Sequence, residues 1–403
     1  MESDTALILV DTDCQWNGGA KVIAYWKTRE IPYGSFSLPS LVDENAAELR
    51  QDYFAWTHAL SNFEVEGRPL KTFLRILPGL SFWWMTLIAQ KEPRISTAIF
   101  SVFKLRALEK LYLEHKCYGV IYIGADRALH QILQNWCKQL SHPYRQRLTK
   151  TRQLQRQPFV QNFRRKLPHF VLAALFFLRR WWRRFRHAPS FVASSSAVLP
   201  SVAIATYFPN VDTQKIKDGE FWSWYWGDLH AVLDKLPLTV NWIWNCVDHD
   251  DHSFQETVSV LQSCNRRSPH KYRFVLLEQF ATVRVLWRAW RLFFQVNIWG
   301  WHIRSARTAF CFSGSKLNFF PLLRYDWDTS FFGTAAMDGV LYVALFDELA
   351  RRMGENLWGM FIWENQAWEL ALMSAWRRHH CAKRVVAYQH TTIRFLDLRM
   401  LAG

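Results

Sequence analysis

The final stretch of the chain limits the fold more than any other. Residues 357–362 (LWGMFI) read as a buried strand, followed by Trp363, Glu364 and Asn365. Residues 366–380 (QAWELALMSAWRRHH) place Trp368, Leu372, Ala375 and Trp376 on one stripe with Ala371 beside it, the pattern of an amphipathic helix. Residues 384–389 (RVVAYQ) read as a second strand that runs into His390, Thr391 and Thr392. Strands joined by a helical crossover are parallel, and the crossover is nearly always right-handed. Glu364 and His390 therefore leave the sheet on the same edge. Ligands of open α/β sheets bind beyond that edge, and an acid beside an imidazole is what proton transfer needs.

Each of these residues has a plainer use as well. Asn365 is a good helix N-cap, and Glu364 favours the positive end of the helix dipole. His390 ends an apolar strand, where a hydrogen-bonded structural histidine is common. The turn it shares with Thr391 and Thr392 offers hydroxyls and backbone N–H groups that hold phosphate. Arg394 and Arg399 flank Asp397, and forked guanidinium donors suit phosphate, although either arginine equally suits an ion pair with Asp397. Gln366 and Gln389 sit beside the two acid and imidazole positions and complete the candidate binding set.

Upstream, the same alternation recurs. Residues 6–10 read as a strand ending in Asp11 and Asp13, a spacing shared by some metal-binding Asp-x-Asp motifs, although aspartates at a strand end commonly cap the next turn. Residues 43–60 read as a helix capped by Asp43, and 70–90 as helix–turn–helix broken at Pro78-Gly79. Residues 119–123 read as a buried strand, and Asp126 caps a helix over 127–140. Further strands are expected at 202–206, 239–245 and 272–277. Helices are expected at 221–235, 254–264, 282–305 and 341–353. Alternating β and α segments imply parallel sheets. The fold class is thus α/β, with Rossmann-like parallel sheets flanked by helices. The division is a first α/β region over 1–141, a basic aromatic insertion over 142–200 and a second α/β region over 201–403.

The net charge of +16 is local. No Asp or Glu occurs from Arg127 to Val211, a block that holds 15 Lys and Arg, while the rest of the chain is nearly neutral with 35 basic and 34 acidic residues. The centre of the block is 168–187, with FVLAALFFL followed by RRWWRRFR. Arg with Trp and Phe can bind phosphate and stack on bases, can lie on an anionic membrane surface, or can simply pack on the protein with Arg in water. The membrane surface is preferred, because apolar and basic residues segregate along the segment and no recognised nucleic-acid motif accompanies them. No nucleic-acid partner is expected. The seven cysteines show no CxxC spacing, and their odd number in a long chain argues against a disulfide framework. The cluster 248–252 (DHDDH) reads as a solvated loop, and no metal is expected. The acidic N-terminus lacks a signal-peptide pattern, and no apolar run reads as the span of about 20 residues that a bilayer needs. The expected location is cytoplasmic, peripheral to the inner face of the membrane. No Walker loop, GxGxxG or nucleophile elbow occurs.

Five blocks carry a resemblance: YWKTREIPYGSFSLP (25–39), FWSWYWGDL (221–229), PLLRYDWDTSFFG (321–333), ENQAWELALMSAW (364–376) and YQHTTIRFLDLR (388–399). They resemble a family of bacterial surface-carbohydrate biosynthesis proteins, of O-antigen and capsule type, that look like GT-B glycosyltransferases. The Gln389-His390 turn is similar to turns of capsule and teichoic-acid polymerases in which the histidine acts in the reaction. The resemblance implies transfer of a sugar from a nucleotide-sugar to a lipid-linked or growing glycan, with no cofactor beyond that co-substrate. His390 is the first choice of base and Glu364 the second, with leaving-phosphate charge met by Arg394, Arg399 and the backbone near Thr391. Related chains continue past this block into a second Rossmann-like domain that supplies most of the nucleotide-sugar site, so a C-terminal domain is expected to be missing here. The alternative implied is a non-catalytic, membrane-associated scaffold or a truncated remnant.

Overall fold

The computed structural model describes residues 5–12, 22–148, 167–191, 200–208, 211–217, 221–247, 253–267, 271–354, 356–380, 383–389 and 398. Two five-stranded sheets organise it. The first consists of β1 (Leu7–Val10), β2 (Val22–Tyr25), β3 (Phe36–Ser37), β4 (Val120–Ile123) and β5 (Tyr144–Arg147). The second consists of β6 (Ser201–Phe208), β7 (Thr239–Cys246), β8 (Tyr272–Leu276), β9 (Trp358–Ile362) and β10 (Arg384–Tyr388). Their spatial orders are β3-β2-β1-β4-β5 and β8-β7-β6-β9-β10, and every neighbouring pair is parallel. Each sheet therefore starts in its middle strand, winds outward one way, then crosses back and winds outward the other way. That reversal leaves a crevice beyond the carboxyl ends of β1 and β4 in one sheet and of β6 and β9 in the other. The α/β class with Rossmann-like parallel sheets is thus observed, and β5 lies past the boundary expected at residue 141.

The elements follow from local chemistry. All four residues of β1 (LILV) are buried, as in a strand covered on both faces. The helix Arg127–Leu140 begins where the Asp126 side chain accepts from Leu129 N at 2.9 Å. It buries Leu129, Ile132, Leu133 and Trp136, the i, i+3, i+4, i+7 set of one face. It ends at Ser141 in the left-handed region, φ +59°.

Several expected elements are corrected. Residues 70–90 contain short helical turns on either side of a two-stranded antiparallel hairpin, Arg75–Leu77 with Leu80–Ser81. Gly79 at φ +76° makes the hairpin turn, where a helical connection was expected. The helix expected over 43–60 is two helices, Leu38–Glu44 and Ala46–Ser61. Asp43 lies inside the first of them and pairs with Arg29 instead of capping. Only Leu229–Lys235 of the expected helix 221–235 is helical. Before it, Ser223 forms an antiparallel bridge with Val211, and Phe221 and Trp226 pack on Trp242. Tertiary aromatic packing overrides the local helical pattern there.

Helices of the second half join the two sheets into one body. Among the helices are α1 (Ala98–Glu114), α2 (His169–Arg183), α3 (Val283–His302), α4 (Phe320–Phe332) and α5 (Thr334–Met353). Trp56 donates to Ala309 O at 2.9 Å, and Leu87 N to Ser330 Oγ at 3.0 Å. One hydrophobic core runs from Leu7 through Trp327 and Phe346 to Trp376. Residues 320–353 are long and apolar enough to cross a bilayer by length and composition, but the relevant window is 78% buried inside the protein. It is a core helical run, and the expectation that no segment reads as a span did not extend to it.

Candidate functional site

The carboxyl-end edge of the second sheet carries the described polar residues of the terminal β-α-β unit, Glu364, Asn365, Gln366 and Gln389. Ile362 pairs with Tyr388 in the parallel register of β9 and β10, and Trp363 N donates to Tyr388 O at 2.9 Å. Glu364 and Gln389 therefore follow strands that end on one edge, as the sequence pattern requires. His390, Thr391, Thr392, Arg394, Asp397 and Arg399 lie outside the described residues, as do Asp13 and the cluster 248–252.

Helix α6 (Ala367–His379) starts just beyond Glu364. Its N-cap is Gln366, with no side-chain capping bond, so the expectation of Asn365 as N-cap is corrected. Asn365 instead adopts φ +57°, a left-handed conformation that asparagine tolerates better than most residues. Its Nδ2 reaches Gln90 O of the first half at 3.4 Å. The turn is held from below by Glu369, which is 2% exposed. Its Oε1 accepts from Glu364 N at 2.8 Å and its Oε2 from Asn365 N at 3.0 Å. Burial pushes the Glu369 carboxyl up to about 8, against the downward pull of hydrogen bonds from the backbone of residues 364–366.

Above it, four side chains form a chain of hydrogen bonds. Trp368 Nε1 donates to the Tyr207 hydroxyl, which donates to Gln366 Oε1 at 2.9 Å. Gln366 Nε2 then donates to Glu364 Oε2 at 2.8 Å. Burial, then the charges of Glu364 and Glu369, raise the Tyr207 phenol well above its ordinary value, so it stays a donor. Tyr207 belongs to β6 and Glu364 follows β9, so the chain crosses the reversal point of the sheet. Glu364 is half-buried and oriented by this network.

No family model, curated protein or solved structure matches this chain.

The first sheet carries a second polar cluster at its own reversal point. Asp11 follows β1 and is 7% exposed. It pairs with Lys27 Nζ at 2.9 Å and accepts from the Tyr122 hydroxyl of β4 at 3.1 Å. The same hydroxyl accepts from Asp126 N at 3.1 Å. Burial and the neighbouring Asp11 charge raise the Tyr122 phenol above its ordinary value. Burial pushes the nearby Lys104 ammonium down, while Asp11 pulls it back up. Lys104 lies 4.4 Å from the Trp26 ring centroid. Among the described residues, no group of three or more His, Cys, Asp or Glu is placed to hold a metal ion.

Sequence reasoning missed Tyr207, Glu369, Tyr122 and Lys27. A signal existed for Glu369, which stands at the third helical position of α6, where a glutamate reaches back to the preceding backbone. Tyr207 and Tyr122 carried none, because each reads as an ordinary aromatic in an apolar strand. A cleft of ≈ 840 Å³ opens elsewhere, between the start of α1, α2 and α4, lined by residues that include Thr97, His169, Phe176 and Asp326. None of its lining residues belongs to either reversal point.

Proposed function

We propose that this chain is a GT-B-like glycosyltransferase of surface-glycan assembly, moving a sugar from a nucleotide-sugar to a lipid-linked or growing glycan. The observation that carries the reading is the repeated topology. The same five-strand parallel order occurs twice in one chain, each time with an acidic residue at the reversal point. On this reading each sheet serves as the centre of one lobe.

In the proposed reaction an acceptor hydroxyl loses its proton to a base and its oxygen attacks the anomeric carbon. The bond from that carbon to the nucleotide phosphate breaks, and the phosphate leaves with the electron pair. Glu364 fits the base role through its position at the sheet edge and its orientation by Gln366. His390, which follows the neighbouring strand by two residues, competes for the same role. Arg394, Arg399 and the backbone near Thr391 are assigned the leaving phosphate. Asn365, Gln366, Gln389 and Thr392 line the same edge in this assignment, with Asp397 between the arginines.

A scaffold without turnover is the second reading. It is favoured by one observation: a Glu364 oxygen is already engaged by Gln366 in a network that also stabilises the fold.

The test is calorimetry of the full chain with UDP, GDP, CMP and dTDP, followed by release of nucleotide from the matching sugar donor on an acceptor-bearing membrane extract. Binding of one nucleotide with turnover supports the transferase. In that case His390→Ala or Glu364→Gln lowers turnover by about 10²–10⁴-fold with nucleotide affinity kept. Nucleotide binding without turnover favours the scaffold, and no binding to any of the four defeats the transferase.

A further inference from the structure

Helix α2 is not a free arm. It buries Ala173, Phe177 and Arg180. Arg180 pairs with Asp338 and reaches Glu278 at 3.9 Å, while Arg184 reaches Glu278 at 3.4 Å. Those pairings fix which side of the helix faces outward. The outward side carries Val171, Leu175, Leu178 and Trp182, spaced four, three and four residues apart and all exposed. An apolar stripe on the solvent side of a packed helix needs an explanation.

Helix α3 carries a second stripe of the same kind. Val283, Trp287, Phe294, Ile298 and Trp301 are each at least half exposed, at helical spacing, while its inner side packs into the core. Trp287 alone is 67% exposed. The two helices touch through aromatic rings: Phe170 lies 6.0 Å from Phe294 and 5.7 Å from Phe293, and Phe177 lies 5.2 Å from Trp290. Phe170 and Phe294 are both exposed, so exposed apolar surface continues from one helix to the other at that contact.

The charge carried by the two helices themselves has one sign, although Glu66 meets His302 at the end of α3 and Asp347 meets Arg288. Neither α2 nor α3 contains an Asp or Glu. Arg183, Arg186, Arg284, Arg291 and Arg304 are exposed on or beside the two helices. Two of them cover exposed tryptophans: Arg186 lies 3.8 Å from the Trp182 ring and Arg304 3.4 Å from the Trp301 ring. Tryptophan with arginine beside aliphatic side chains is the chemistry of a lipid headgroup boundary. A protein partner would need an acidic, apolar face of matching shape, whereas an anionic lipid surface satisfies both features with no such match.

We propose that the outward faces of α2 and α3 together seat the protein on an anionic lipid surface. The stripes enter the headgroup boundary and the flanking arginines meet lipid phosphate. The sequence reading placed an anchor in 168–187 alone; the structure adds α3, which lies outside the basic block. The proposal does not rest on the transferase reading, because lipid binding is read without turnover.

The experiment is flotation of the full chain with phosphatidylcholine vesicles, with and without about 30% phosphatidylglycerol. The expected result is binding to the anionic vesicles that weakens with salt. The exposed double substitution Trp287→Glu with Ile298→Glu, which leaves 168–187 intact, is expected to weaken binding by about tenfold or more. Its circular dichroism and thermal midpoint report that the fold is kept. Arg183→Glu with Arg284→Glu is expected to weaken binding to anionic vesicles specifically. An intact chain that stays in solution overturns the proposal. Unchanged binding by the Trp287/Ile298 variant removes α3 from it. A dimer that this variant splits, with no vesicle binding by the intact chain, assigns the face to a second copy instead.

Discussion

The Tyr207 hydroxyl donates to Gln366 Oε1 at 2.9 Å, which ties the carboxyl end of β6 to the turn that carries Glu364 after β9. The two strands are hydrogen-bonded parallel neighbours, Ala205 opposite Phe361, so their ends lie on the same edge of the sheet. A single phenol therefore sets the direction of a glutamine that in turn sets the direction of an acid.

Tyr207→Phe removes that link. The substitution leaves Trp368 Nε1 without this acceptor and Gln366 Oε1 without this donor, so that Gln366 is held by its bond to Glu364 alone. The expected loss of stability is about 1–3 kcal/mol, the cost of a buried polar group left unpaired. Urea denaturation measures it. If Glu364 acts in catalysis, turnover falls with little change in nucleotide affinity, because Tyr207 reaches Glu364 only through Gln366.

Glu369 makes stability pH-dependent in a defined direction. Its ordinary value is 4.5 and burial raises it to about 8 in the folded chain. Between those values the folded chain holds a proton that the unfolded chain has released. Stability from this group is therefore fully present at low pH, falls as pH rises toward about 8, and is level above that. Glu369→Gln is expected to flatten the profile of thermal midpoint between about pH 5 and 8. It keeps one acceptor for the two backbone N–H groups. Glu369→Ala leaves both without a side-chain acceptor and is expected to lower stability by about 1–3 kcal/mol at neutral pH.

The terminal β-α-β unit was legible because its two strands are apolar runs and its helix has a clear stripe. Parallel pairing then follows from the crossover alone. The second sheet as a whole was legible in the same way, through 202–206, 239–245 and 272–277. What escaped was information carried by tertiary contact. Phe221 and Trp226 sit in a helical pattern yet turn aside to pack on Trp242. Tyr207 and Tyr122 look like core aromatics until the opposite strand shows what their hydroxyls meet. The repeat of strand order was invisible because strand sequence fixes neither neighbours nor the point of reversal.

Arg180 and Arg183 are separated by under one helical turn and are predicted to behave oppositely. The Arg180 side chain is 7% exposed and faces Asp338 and the fully buried Glu278. Arg180→Met takes the pairing arginine from Asp338 and leaves Glu278 with Arg184 alone, and a loss of about 3–5 kcal/mol is expected. Arg183 is exposed, and Arg183→Met is expected to change stability by no more than about 0.5 kcal/mol. Chemical denaturation of the two variants side by side checks the inward and outward sides of α2. Equal effects would mean that the helix is not seated as described.

Gly124 tests the cluster at the reversal point of the first sheet. A Cβ added there would lie 2.6 Å from the Tyr122 hydroxyl oxygen and 2.7 Å from its Cζ. The ring cannot simply swing away, because it is fully buried and its hydroxyl is held by Asp11 and Asp126 N. Gly124→Ala therefore forces the ring off Asp11, and overpacking of this kind costs about 1–3 kcal/mol. The prediction separates steric from conformational causes through a second substitution. In a Tyr122→Leu background the obstructing ring is gone, so Gly124→Ala is expected to cost little further. The two effects should then fall short of additivity by roughly the full cost of Gly124→Ala alone, a coupling measured by a double-mutant cycle in urea. Full additivity would show that the glycine is needed for its backbone and not for the tyrosine it lies against.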